Sequence, residues 1–371
     1  MASLYQRSQA LDAMRGITLA LMIVVNMSIS ETLSYGPLLH ASWHGLTLTD
    51  LVFPSFLFVV GSAMSFSLPH YQGLGLATVL TKIVRRTAVL FLCGFALYWF
   101  PFFGFGADGG LHLLPLSEAR ILGVLQRIAL CWGLACLCLH VCSSRTVLVL
   151  CGLILLGNWW VQASFGDYSL AGNAALKLDT WLLGPAHMYR GEGIPFDPEG
   201  LLGTLPAMVN VLAGYYAGRL VRALGASYEA IAKLMMAGAI CLAAALAWHG
   251  GFPINKKLWT SSYVLCGIGV DVMVLALLLY LIDRLGVRRW AYFFEVFGRN
   301  TLFLYLFAEV LMSVLWLVQI GPQPLFMWIY TRGFQFWAGD KNGSLAFALF
   351  FMLGCWALGY WMDWRRIYVK V

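Results

Sequence analysis

Charge is scarce in this chain. Asp, Glu, Lys and Arg together make up only 11% of its 371 residues, against about 25% in soluble domains, and that deficit excludes an ordinary water-soluble fold. Long polar linkers and low-complexity tracts are missing, and no segment repeats, so residues 1–371 are expected to form a single transmembrane domain. Several chemical signatures are also absent. No CxxC pair and no GxSxG elbow occurs, so metal ligation by CxxC and a serine nucleophile on an elbow find no support. The nine cysteines fall within or at the ends of apolar runs. That placement suits small packing residues and argues against disulfides.

What the chain has instead is apolar length. Hydrophobic residues account for 61% of it, and the mean hydropathy is +0.78. Runs of about 20 apolar residues recur along the whole sequence, each long enough to cross about 30 Å of hydrocarbon as a helix. Such helices satisfy their own backbone hydrogen bonds where lipid cannot. The runs predict an all-α, polytopic membrane bundle of about ten helices. They fall at Leu11–Ser30, Leu48–Leu68, Thr87–Phe103, Ile121–Val141, Val147–Phe165, Leu201–Leu220, Ala230–His249, Ser262–Ile282, Tyr292–Val318 and Leu345–Trp364. The N-terminal segment lacks a small-residue cleavage site, and Asp12 and Arg15 interrupt its first apolar run, so it is expected to be retained.

An even number of crossings puts both termini on one side. Most of the 24 Lys and Arg residues cluster on that side, Arg7, Arg15, Lys82, Arg85, Arg86, Arg365, Arg366 and Lys370 among them, and the positive-inside rule makes it cytoplasmic. The net charge of +7 is thus explained by membrane orientation and contact with lipid phosphate, and nucleic acid is not implied. The opposite side carries the longer connections, Glu31–Thr47, Gly104–Glu118, Gly166–Gly200 and Gly321–Ser344. Long ordered loops on one face usually hold the function.

One stretch organises the rest: LHASWHGLTLTDLVFPSFLFVVG, residues 39–61. His40 and Asp50 lie where an aqueous loop passes into hydrocarbon. Imidazole exchanges a proton near neutrality, and a carboxylate ten residues on could hold its second nitrogen. The plainer alternative is an interfacial histidine on a loop carbonyl, with Asp50 favoured by the helix dipole. Asn26, in VVNMS, could orient that ring or donate to an oxyanion, or bridge two helices. His40 and His44 share an i,i+4 spacing, yet Ser42, Trp43 and Gly45 suggest a turn, so no metal is expected. GFGADG at 104–109 matches GxGxxG literally, and a loop turn accounts for it. Arg127, Asp271 and Glu309 are charges inside apolar runs, and each must pair across the bundle or line a wet cavity.

Several of these motifs together resemble one family, the heparan-α-glucosaminide N-acetyltransferases and their bacterial members among the transmembrane acyltransferases. The matching pieces are LDAMRG at Leu11–Gly16, Asn26, the 39–61 stretch and RILGVLQRIAL at Arg120–Leu130. FDPEGLLGTLPAMVN at Phe196–Asn210, NKKLWTSSYVL at Asn255–Leu265 and GRNTLFLY at Gly298–Tyr305 follow in order. The resemblance implies an enzyme of the bacterial inner membrane that takes acetyl from cytoplasmic acetyl-CoA and delivers it to the amine of a glucosamine on the far side. It implies His40 as the catalytic histidine, with Asn26 and Asp50 beside it. Trp43, Arg127 and Glu309 are then candidates to bind the sugar, and Arg85, Arg86, Arg365 and Arg366 to bind the phosphates of CoA. An apolar helix face leaves room for a homodimer. A secondary sugar transporter and an O-acyltransferase of envelope polysaccharide remain the competing functions, the first weakened by the lack of inverted repeats.

Overall fold

The computed structural model describes residues 8–71, 73–105 and 110–369. Fourteen helices dominate them: α1 Gln9–Asn26, α2 Leu48–Ser67, α3 Leu76–Trp99, α4 Val124–Val141, α5 Ser144–Phe165, α6 Ala174–Leu182 and α7 Leu201–Leu224. There follow α8 Tyr228–His249, α9 Ser261–Leu278, α10 Ala291–Arg299, α11 Thr301–Leu317, α12 Leu325–Tyr330, α13 Phe336–Ala338 and α14 Asp340–Trp364. A π-helical turn over Leu279–Arg284 extends α9. Two short antiparallel hairpins, Phe103–Phe105 with Leu111–Leu113 and Gln319–Ile320 with Gln323–Pro324, are the sheet content among the described residues. Arg7 and Lys370, counted above as topology signals, and residues 106–109 of the glycine-rich run lie outside the described residues.

Seven of these helices are long and apolar enough to cross a membrane, eight if the bent pair α10 and α11 is one crossing. That differs from the expected ten in a physically intelligible way. The helix α3 carries Lys82, Arg85 and Arg86 within its length, and α7 buries Gly203, Thr204, Asn210, Gly214 and Gly218 in place of large apolar side chains. Both are 24-residue helices diluted in hydropathy by what they must do locally. The run expected as one helix over Tyr292–Val318 is in fact two helices meeting at 82°. Asn300 sits at the corner, where its amide donates to Ile367 O (2.9 Å) and accepts from Val369 N (2.9 Å).

Among the described residues the contacts group into two compact units, one of residues 8–41, 46–56 and 275–369, the other of 42–45 and 57–274. In the first, α1 packs closely on α10. A Cβ at Gly16 would lie 1.7 Å from Phe294 O, and one at Gly298 would lie 2.3 Å from Asp12 O. In the second unit Gly61 and Gly214 play the same part: a Cβ would fall 1.8 Å from Val211 O and 1.9 Å from Phe58 O respectively. Small residues that let backbones touch are the usual means of helix association in lipid, which offers no hydrophobic drive between helices. Gly16→Val should therefore lower stability by about 3 kcal/mol or more. Gly152→Val, whose Cβ would meet nothing within 4 Å, should unfold near the wild-type temperature. Thermal denaturation in detergent compares the two, and equal melting would contradict the packing argument.

Side-chain caps start several helices. Ser143, Asn173 and Ser227 accept from the main-chain N–H of Thr146, Leu176 and Ala230 at the first turns of α5, α6 and α8. Each satisfies one of the otherwise orphaned donors at a helix start.

Candidate active site

The entry to α2 has the T-x-x-D pattern of a capping box, Thr47-Leu48-Thr49-Asp50. Its hydrogen bonds are reciprocal: Asp50 N donates to Thr47 Oγ1 (3.4 Å), and Thr47 N donates to Asp50 Oδ2 (3.0 Å). This locks the carboxylate at the mouth of the helix, where the dipole favours negative charge. Asp50 Oδ2 also accepts from Ala41 N (3.1 Å), and Thr47 Oγ1 lies 2.7 Å from Leu39 O. The 39–47 loop is thereby folded back onto the start of the helix.

The consequence is a dyad. Asp50 Oδ1 stands 2.7 Å from His40 Nδ1; the Asp50 side chain is 1% exposed and that of His40 46%. A carboxylate is an acceptor only, so the ring proton belongs on Nδ1 and the lone pair is left on Nε2. The imidazole is about half exposed and is braced at Nδ1. Chemically the arrangement can take up a proton at Nε2 and stabilise the imidazolium that results. Thr47 escaped the sequence reading, although the four-residue capping pattern was its signal.

Asn26, the last residue of α1, donates through Nδ2 to Glu309 Oε1 at 2.9 Å. Two residues singled out for different reasons are thus partners, 283 positions apart in the chain. Both belong to the unit that contains the His40–Asp50 dyad.

The second unit holds the other expected contacts. Trp43 donates from Nε1 to Tyr168 O (2.7 Å) and meets the ring of Phe196 edge-on at 5.7 Å. Lys257 Nζ donates to Ser42 O (3.0 Å) and to Glu192 Oε2 (2.5 Å). His44 faces Asn255 Nδ2 at 3.3 Å; burial and the neighbouring His249 lower its pKa. Residues 40–45 are not helical, so the i,i+4 spacing of the two histidines does not place them on a helix face. No group of three or more metal-ligating side chains occurs among the described residues.

Arg127, 1% exposed, donates through Nη2 to Gly200 O (2.8 Å) and stacks on Trp259 at 4.8 Å. It is enclosed, with Nε and Nη1 finding no partner among the described residues. Trp259 in turn donates to Asn210 Oδ1 (3.2 Å). Asp271 is buried as well, at 2% exposure.

A charged cluster that the sequence reading passed over lies nearby. Arg120 grips Asp197 with two hydrogen bonds, Nε to Oδ2 (2.9 Å) and Nη2 to Oδ1 (2.7 Å), and Nη2 also reaches Glu199 Oε2 (2.7 Å). The rings of Tyr98 and Tyr189 lie 4.7 and 4.8 Å from its guanidinium carbon. Burial alone would weaken this cation, but the Asp197 hydrogen bond and the charge of Glu199 outweigh it and hold its proton more tightly than in a free arginine. Asp179, on α6, is pushed by burial up to about 6, against the opposing hydrogen bond from Leu201 N.

Of the expected phosphate ligands, Arg85 is exposed on α3. The Arg86 guanidinium carbon lies over the Trp132 ring, 4.6 Å from its centre, and Nε is buried without a partner among the described residues. Arg365 stacks on Trp364 at 4.7 Å, and Arg366 takes a left-handed backbone with φ of 57°.

Comparison with known proteins bears directly on this geometry. The family model described as heparan-alpha-glucosaminide N-acetyltransferase, catalytic, matches residues 7–251. Heparan-alpha-glucosaminide N-acetyltransferase from Homo sapiens is 29% identical over 369 residues, covering 84% of this chain and 54% of the human protein. The Mus musculus protein of the same name is 28% identical over 364 residues, covering 82% of this chain and 54% of its own length. This chain therefore spans about half the length of those curated relatives. The matched region contains the dyad, Asn26, the Trp43 loop and the Arg120 cluster, and the chain belongs to the heparan-α-glucosaminide N-acetyltransferase catalytic family.

Proposed function

We propose that this protein is a transmembrane N-acetyltransferase of a bacterial inner membrane. It moves acetyl from cytoplasmic acetyl-CoA to the amine of a glucosamine, free or at the end of a glucosaminide, on the opposite side. Counting α3 and α7 as crossings and the bent pair as one brings the total to ten and puts both termini in the cytoplasm, in one transmembrane acyltransferase domain. The observation that carries the reading is the dyad: a half-exposed histidine whose Nδ1 is held by a buried carboxylate, in a chain of this family.

In the proposed reaction the amine nitrogen attacks the thioester carbonyl carbon. The C–N bond forms, the C–S bond breaks, and the thiolate leaves. His40 Nε2 takes the proton from nitrogen and returns it to sulfur, so amine and acetyl-CoA become amide and CoA thiol. Direct attack is preferred to an acetyl-histidine intermediate because Nδ1 is committed to Asp50. An acylated Nε2 would leave the ring no nitrogen with which to deprotonate the amine. Asn26 keeps one amide N–H beyond that given to Glu309, suited to the oxyanion.

Glu309, in the unit that holds the dyad, is a proposed sugar contact, and Trp43 is a separate candidate in the other unit. Arg127, enclosed beneath Trp259, is proposed to brace the Asn255–Trp259 turn. Among Arg85, Arg86, Arg365 and Arg366, Arg86 is the strongest candidate for a CoA phosphate, because its buried Nε is an unspent donor and planar guanidinium suits phosphate geometry. Purified protein given acetyl-CoA and glucosamine should release one CoA thiol per N-acetylglucosamine formed. Sugar uptake by proteoliposomes lacking acetyl-CoA, without thiol release, would replace the enzyme with a transporter.

A further inference from the structure

Glu309 sits within α11, in the sequence TLFLYLFAEVLMSVLWL, where hydrocarbon-length surroundings make an uncompensated charge costly. Among the described residues it has no cationic partner, and its carboxylate receives one side-chain hydrogen bond, from the neutral amide of Asn26. The hydroxyl of Ser313 goes to the main-chain carbonyl of Glu309 and leaves the carboxylate alone. A carboxylate can accept about four hydrogen bonds, so this one is far from satisfied. The amide that binds it is at the exposed end of α1, so the pair is reachable from outside the helix core.

Orientation adds a second constraint. With Nδ2 directed at Glu309, Asn26 turns Oδ1 away, and Glu309 keeps Oε2 uncommitted. The pair therefore keeps two acceptors, Asn26 Oδ1 and Glu309 Oε2, and one negative charge beyond its own hydrogen bond. An ammonium group has three donors, no acceptor and one positive charge. A hydroxyl offers one donor and no charge.

We propose that Glu309, positioned by Asn26, is the recognition site for the ammonium form of the acceptor, and so selects an amino sugar over its neutral hydroxyl counterpart. This inference rests on the amino-sugar reading above and names the residue that would impose it. Glu309 is a binding residue in this role. The bound ammonium first loses one proton to solvent, and His40 handles the second, which passes from nitrogen to sulfur.

Equilibrium binding of radiolabelled glucosamine and glucose tests it without requiring turnover. Wild-type protein should prefer glucosamine to glucose by roughly tenfold or more, since hydrogen bonds to a charged partner are the strong ones. Glu309→Gln should lose that preference, with glucosamine binding weakened roughly ten- to a hundredfold. Acetyl-CoA binding should stay at wild-type levels, and Glu309→Asp should recover part of the preference. Equal glucosamine binding by wild type and Glu309→Gln overturns the proposal. So does a wild type that binds the two sugars alike, an outcome needing no variant to fold. Preferential binding with no acetyl transfer would sink the transferase reading and leave the ammonium site standing.

Discussion

His40→Ala is expected to lower acetyl transfer to glucosamine by roughly 10²–10⁴-fold while leaving acetyl-CoA binding intact. Removal of a general base acts in the transition state, so kcat should fall and KM for either substrate should move little. Asp50→Asn is the sharper experiment. An asparagine there can still accept from Ala41 N and Thr47 N, which now bind Asp50 Oδ2 at 3.1 and 3.0 Å. Its amide, however, would donate toward Nδ1 and drive the ring proton to Nε2, the nitrogen that must be free. The loop should survive and the chemistry should not, with a loss of about 10²-fold or more. Because the two residues act as one unit, the double variant should be no slower than His40→Ala alone. Thiol release in stopped assays measures all three. Transfer within threefold of wild type in His40→Ala would remove the imidazole from the mechanism.

The dyad was legible in the sequence because its members are only ten positions apart at the polar start of an apolar run, whereas the Thr47 cap that closes the turn between them was not. The helix that follows was equally clear: an unbroken apolar run after a polar start gave Leu48–Leu68, and α2 spans Leu48–Ser67. Where local signal and tertiary demand diverge, the reading failed. The first three turns of α3, LATVLTKIVRR, mix charge with apolar residues and did not stand out as part of a crossing, so the helix was expected to begin at Thr87 instead of Leu76. The corner between α10 and α11 is invisible in a continuous apolar run. Its cause is Asn300 bonding the main chain 67 and 69 residues downstream. The Asn26–Glu309 pair could be suspected only as two polar residues in need of partners, since nothing in a single sequence links positions so far apart. Arg120, Asp197 and Glu199 all lie in motifs visible in the sequence, but nothing there pairs residues 77 and 79 positions apart.

That cluster should give the largest stability effect. Arg120→Met is expected to cost about 3–5 kcal/mol, the usual range when a buried ion pair loses one partner. The methionine can still lie between Tyr98 and Tyr189, so what it removes is the cation. Asp197, whose side chain is wholly buried, and Glu199, at 10% exposure, would be left without it. Arg120→Lys should fall between, because an ammonium cannot make the paired contacts that Nε and Nη2 make to Asp197. The pH dependence separates charge from packing. In the wild type, burial works against the Glu199 carboxylate, but the charges of Arg120, Arg127 and Lys256 hold its pKa below the ordinary value. Its contribution is therefore complete above that ordinary value and lost as pH falls through the depressed one. In Arg120→Met the main opposing charge is gone, the orphaned carboxylates gain by taking up protons, and the sign reverses: the penalty should shrink as the pH is lowered from 8 toward 5. Thermal unfolding in detergent across that range reads the difference between variant and wild type. A penalty independent of pH would assign the loss to packing of the guanidinium between its two tyrosines, and the electrostatic account of the cluster would be wrong.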